Sequence, residues 1–188
     1  MTARPPAELV AGPLTLVAFT GTEAPALHRA VVENLEHLRP WMPWAAGEPT
    51  VSAQAEFVAR SRHDWEAGTA FGYWLREDAS GELVGCAGLH HRVGPGAIEI
   101  GYWVSASRVR RGYATGSARA LTTAAFGLPG MERVEIHCDE ANVASAGVPR
   151  RLGYRLDRVQ DAEIEAPGER GPEMVWVMAA ADWLTASS

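Results

Sequence analysis

Residues 97–119, AIEIGYWVSASRVRRGYATGSAR, bring together the parts of an anion cradle: an apolar strand, a turn rich in arginine and glycine, and the opening of a helix. Backbone N–H groups that converge at such a turn, with the positive end of a helix dipole behind them, bind phosphate groups. Gly112 permits close backbone approach, Ala114 and Gly116 stay small, and Arg108, Arg110 and Arg111 supply positive charge. The ligand this favours is a pyrophosphate. Two familiar phosphate loops do not fit. The GxxxxGK[ST] loop needs a lysine, and all 17 basic residues here are arginine. A dinucleotide fingerprint needs Gly-x-Gly-x-x-Gly, whereas Gly112 and Gly116 stand four apart with Ala114 between them. The competing reading is an ordinary strand-loop-helix connection with solvated arginines.

Glu99 stands in the otherwise apolar strand that leads to this turn, where a carboxylate can take up a proton during chemistry or simply face solvent. Cys86, His90, His91, His137 and Cys138 invite a metal reading, but adjacent His90 and His91 project to opposite strand faces and no C-x-x-C or H-x-x-x-H spacing occurs. No metal is expected. Arg150, Arg151, Arg155 and Arg158 could bind phosphate, but a solvated helix end is the commoner meaning. The acidic run Asp157, Asp161, Glu163, Glu165, Glu169 and Glu173 flanks a Gly/Pro loop and could steer a cationic partner, although such runs are often solvated surface.

The elements that position these residues follow from periodicity. A strand is expected at 13–19, a helix from Thr22-Glu23 to Arg39-Pro40 with Leu27, Val31, Leu35 and Leu38 on one face, and a Pro-punctuated loop at 40–50. A second helix spans 52–66. Strands at 70–76, 82–90 and 97–104 make a hairpin meander. Helix 112–126, strand 133–138, helix 142–152 and strands 154–159 and 174–179 follow, with Pro149 expected to bend or break its helix. This order predicts one α/β (mixed α+β) domain: a mixed, mostly antiparallel sheet of six to seven strands with helices on both faces. Its bounds are 13–180, with an N-terminal extension at 1–12 and a C-terminal tail at 181–188. The formal net charge of −6 argues against a general nucleic-acid binder. No apolar run suits a membrane span, and two cysteines in strand-like runs fit a reducing, cytoplasmic setting.

Val109-Arg110-Arg111-Gly112-Tyr113-Ala114 resembles the Gln/Arg-x-x-Gly-x-Gly/Ala segment with which GNAT N-acetyltransferases bind acetyl-CoA. Val109 departs from the pattern, so a contact there falls to its backbone. Asn142-Val143-Ala144-Ser145 with Leu152-Gly153-Tyr154 resembles the second segment in the form typical of the RimJ/RimL ribosomal-protein branch. Leu38-Arg39-Pro40-Trp41-Met42-Pro43-Trp44-Ala45 resembles the tryptophan-bearing loop of the same branch, and the resemblance covers about residues 13–180.

The resemblance implies a GNAT-like fold, acetyl-CoA as co-substrate and an amine acceptor. It implies a cofactor site of Trp103, Val104, Val109, Arg110, Arg111, Gly112, Tyr113, Ala114, Thr115 and Asn142, and acceptor contacts from Trp41, Trp44 and His90. Glu99 is then the proton acceptor, main-chain N–H groups near Val104 meet the oxyanion, and Ser145 is the proton donor to sulfur. Tyr113 and Tyr154 are less suited, one lying in the phosphate turn and the other starting a strand. A protein α-amine, with pKa about 7.7–8.0, is the favoured acceptor because a sizeable fraction is neutral near pH 7, unlike lysine near 10.4. A small-molecule amine such as a polyamine or aminoglycoside, a non-catalytic acyl-CoA sensor and a structural protein are the alternatives. A homodimer is a further expectation from the branch.

Overall fold

The computed structural model describes residues 3–186, which build one eight-stranded sheet with helices on both faces. Strands β1 (Glu8–Ala11), β2 (Leu14–Ala18), β3 (Ala70–Glu77), β4 (Leu83–His90) and β5 (Ala97–Val104) pair antiparallel in sequence order. β6 (Arg133–Asp139) joins β5 in parallel, and β8 (Pro172–Ala179) lies between β6 and the edge strand β7 (Arg155–Asp161). The helices are α1 (Ala24–Glu33), α2 (Leu35–Leu38), α3 (Val51–Ala67), α4 (Tyr113–Phe126), α5 (Val143–Leu152) and α6 (Ala180–Ala186).

Strand alternation divides the core in two. Ile98, Ile100, Val134 and Ile136 point to the face covered by α4 and α5, where Leu121, Ala125 and Leu152 meet them. Phe19, Cys86 and the half-buried Trp74 and Trp103 point to the other face, where α1 and α3 supply Leu27, Val31 and Val58. Cys86 and Cys138 are free and buried.

The structure departs from the expected elements in four places. β1 adds a strand before residue 13; with only four residues and Val10 exposed, it carries no apolar period and exists through its pairing with β2. The expected helix over 22–39 is split at Asn34, whose Nδ2 donates to the carbonyl of Ala30 at 2.7 Å while its Oδ1 accepts the N–H of Ala106 at 2.7 Å. Residues 181–186, expected in a tail, belong to α6; Trp183 is buried and its Nε1 donates to Thr123 Oγ1 at 3.3 Å. Finally, Pro149 does not break α5, which runs unbroken over 143–152. The carbonyl that Pro149 deprives of an N–H partner is that of Ser145, and the Tyr102 hydroxyl donates to it at 3.1 Å.

Candidate active site

The backbone between β5 and α4 is bent to converge its N–H groups. Arg110 has φ 62° and Gly112 has φ 80°, so left-handed residues alternate around Arg111 in the manner of an anion-binding nest. Gly112 is the N-cap of α4 and no side chain caps it, so the first-turn N–H groups have no intrahelical partner. A Cβ placed on Gly112 would meet nothing within 4 Å, so the nest faces open space.

Side chains brace this turn from behind. Glu77, in the inward register of β3 after Phe71, Tyr73 and Leu75, accepts the Tyr113 hydroxyl at 2.5 Å, Arg108 Nε at 2.9 Å and the Ser80 hydroxyl at 2.8 Å. Tyr113 first, then Arg108 and Ser80, hold the Glu77 carboxyl down at about 2. Asn34 fixes the other end through Ala106 and through Ser105 Oγ at 3.3 Å. Arg108, expected to offer charge to phosphate, is instead committed to Glu77 and Glu82. Exposed Arg110 and Arg111 remain at the turn, and Arg151 joins them: its Nη1 donates to Thr115 Oγ1 at 3.4 Å. The rest of the arginine cluster is occupied, Arg150 over the ring of Trp176 and Arg155 and Arg158 with Asp157.

Beyond the turn the sheet parts. β5 pairs with β6 only at Ala97↔Arg133, Ile98↔Val134 and Glu99↔Glu135. From Ile100 to Val104 it pairs with β4 alone, while β6 continues with β8. The β6-facing backbone groups of this stretch therefore have no strand partner and line a slit through the sheet. On the α5 side of the slit, Asn142 accepts the N–H of Ser145 at 3.0 Å as N-cap, and the Ser145 hydroxyl lies 3.1 Å from that of Tyr102. Burial pushes the nearby Cys138 thiol up to about 11, so it stays protonated.

The opposite face carries His90, Glu99 and Trp103. Glu99 is 6% exposed and receives Arg92 through Nε at 2.7 Å and Nη2 at 2.5 Å. His90, its cross-strand neighbour, is pushed below its ordinary value by burial and then by Arg92, so its imidazole is neutral near pH 7. Exposed Trp44 tilts over Trp103 with ring centroids 6.5 Å apart, and Trp41 sits half-buried in the same loop. The acidic 162–171 loop abuts this loop: Gly168 donates its N–H to Pro40 O at 2.8 Å, and a Cβ on Gly168 would stand 2.5 Å from that oxygen. Beside Glu99 and Arg92 lies a hollow of about 510 Å³, lined by Glu135 and His137 among others.

The expected residues thus fall into two groups. Val109, Arg110, Arg111, Gly112, Tyr113, Ala114, Thr115, Asn142 and Ser145 lie at the turn and on the α4–α5 side; His90, Glu99, Trp103 and Trp44 lie on the other, with Val104 ending the slit. Sequence reasoning missed Glu77, although a carboxylate in an inward apolar register was a readable signal. It also missed Arg92 and Tyr102 and set Arg151 aside as solvated, because the roles of all three depend on contacts between distant segments. Replacing Glu77 by glutamine is expected to lower Tm. The native carboxyl titrates at about 2 and the unfolded one at 4.5, so its stabilisation is complete above 4.5 and fades as pH falls toward 2. The Tm gap between Glu77→Gln and the parent should hold steady from pH 7 to 5 and close below 4.5; a gap independent of pH would refute the ionised brace.

Among the described residues, no helix is long and apolar enough to cross a membrane, and no group of His, Cys, Asp and Glu could hold a metal ion. The family described as an acetyltransferase (GNAT) domain matches residues 13–155. A Bacillus subtilis (strain 168) protein provisionally named ribosomal N-acetyltransferase YdaF is 27% identical over 153 residues, 75% of this chain and 77% of its own length. The fold is shared with RimL, a ribosomal L7/L12 alpha-N-protein acetyltransferase solved with coenzyme A, at TM-score 0.84 and 23% identity over 94% of this chain and 99% of that one. It is shared also with the microcin C7 self-immunity acetyltransferase MccE, solved with acetyl-CoA and AMP, at TM-score 0.81 and 21% identity over 89% and 93%.

Proposed function

The chain belongs to the GNAT acetyltransferase family, and from that premise we propose that it transfers acetyl from acetyl-CoA to a protein N-terminal α-amine, by direct attack in a ternary complex. The observation that carries this reading is the slit between β5 and β6, with an anion nest at one end and Glu99 at its fork. The names of YdaF and RimL support the acceptor class.

Acetyl-CoA, when bound, supplies the activated thioester. The N–H groups of the turn and of α4's first turn, with Arg110, Arg111 and Arg151, suit its phosphates. The unpaired edge of β5 offers backbone partners to its amide-bearing arm, beside Asn142. On the far face, Trp44, Trp41 and His90 receive the chain end that carries the amine. As nitrogen forms its bond to the acyl carbon and the carbon–sulfur pair leaves with sulfur, N–H groups near Val104 meet the oxyanion. Glu99, directly or through water, takes the proton shed by nitrogen and releases it to solvent. Ser145 gives its proton to sulfur and recovers one from water, so amine and thioester become amide and thiol with no net proton.

Purified protein with acetyl-CoA should acetylate the α-amine of a ribosomal-protein N-terminal peptide by mass spectrometry, with spermidine and kanamycin offered in parallel. Acetylation of the small amines alone would overturn the protein acceptor.

A further inference from the structure

A helix keeps a proline in its interior only where the carbonyl one turn earlier finds another donor or water. In α5 that carbonyl belongs to Ser145, because Pro149 has no N–H. The substitute comes from β5: the Tyr102 hydroxyl stands 3.1 Å from the Ser145 carbonyl oxygen and 3.1 Å from the Ser145 hydroxyl. These are the only side-chain hydrogen bonds joining β5 to α5 among the described residues. Tyr102 lies in the stretch of β5 that has left β6, opposite Ala87 on β4, so the contact spans the donor side of the slit.

A phenol carries one proton and two acceptor positions. Burial raises Tyr102 above the ordinary phenol range, so that proton stays in place. Given to the Ser145 carbonyl, it leaves the Tyr102 oxygen free to accept from the serine hydroxyl at rest, which fixes both the backbone and the side chain of one residue; for transfer the serine O–H turns its hydrogen from Tyr102 to sulfur. Asn142 ties the same residue from within α5 through its N–H.

We propose that Tyr102 is a positioning residue for acetyl transfer: it replaces the N–H that Pro149 lacks, latches the first turn of α5 to the free stretch of β5, and sets the Ser145 hydroxyl across the slit. The catalytic half of this inference rests on Ser145 as proton donor to sulfur. The latch itself rests on the contact alone.

A double-mutant cycle separates the two. Tyr102→Phe should lower kcat about tenfold, a loss at the upper end of one hydrogen bond's worth, with the KM for acetyl-CoA within about twofold. Pro149→Ala restores the backbone donor but not the partner of the Ser145 hydroxyl, so adding Tyr102→Phe to it should cost less than tenfold but still about threefold. Thermal unfolding should follow: Tyr102→Phe loses roughly 4 °C with Pro149 present, and less than half of that in the Pro149→Ala background. Equal Tm losses in the two backgrounds overturn the latch. Parental kcat in Tyr102→Phe, or a KM effect without a kcat effect, overturns the positioning role. Ser145→Ala at parental kcat overturns the donor reading and with it the catalytic half, while the Tm cycle still decides the latch.

Discussion

Valine in place of Gly112 is expected to weaken acetyl-CoA binding about thirtyfold while leaving the sheet folded. The native φ is 80°, where an L-residue is strained by roughly 1–2 kcal/mol and a β-branched one more. The turn relieves that strain by leaving the left-handed region, which rotates the N–H groups of 112 and 113 out of convergence. About 2 kcal/mol lost from binding corresponds to roughly thirtyfold in Kd. Calorimetric titration measures it, and circular dichroism checks the fold. A valine variant that binds like the parent would show that phosphate is held elsewhere.

Glu99→Gln should lower kcat/KM for a peptide α-amine about a hundredfold at pH 7, within the range of a positioned general base. The structure sharpens the test, because both Glu99 oxygens already receive Arg92. A carboxylate that serves only to hold Arg92 gives the same loss at every pH. A base that also removes the proton of an arriving ammonium gives a loss that narrows by up to about tenfold from pH 7 to pH 9, because an acceptor with pKa about 7.7–8.0 then arrives neutral. Activity of Glu99→Gln within twofold of the parent at pH 7 would remove Glu99 from the mechanism.

The meander, the parallel β5–β6 crossover and the glycine turn into α4 were legible because each rests on local signals: strand periods, Gly-containing turns, and glycine at the head of a helix. What was not legible rests on pairs far apart in the chain. Asn34 reads as a mid-helix polar residue until Ala106 is found at its Oδ1, seventy-two positions away. Pro149 reads as a break because the rule knows only the lost N–H, not the phenol 47 positions earlier that stands in for it. The arginines around 108 and 151 exchanged roles for the same reason: acidic partners captured one and α4 received the other. β1 and α6 are too short to show a period and are specified by what they touch. The candidate site was therefore readable as a set of residues but not as two groups on opposite sides of a sheet.

That division bears on the order of loading. On the proposed reading, a wall pierced by a gap lets the thioester partner settle from the α4–α5 side and the amine partner from the tryptophan side, neither crossing the other's route. Nothing in such a layout obliges one to arrive first or depart last. A single molecule threaded through the opening, joining a nucleotide half to a peptide half, would engage both rims at once and inherit the affinity of each.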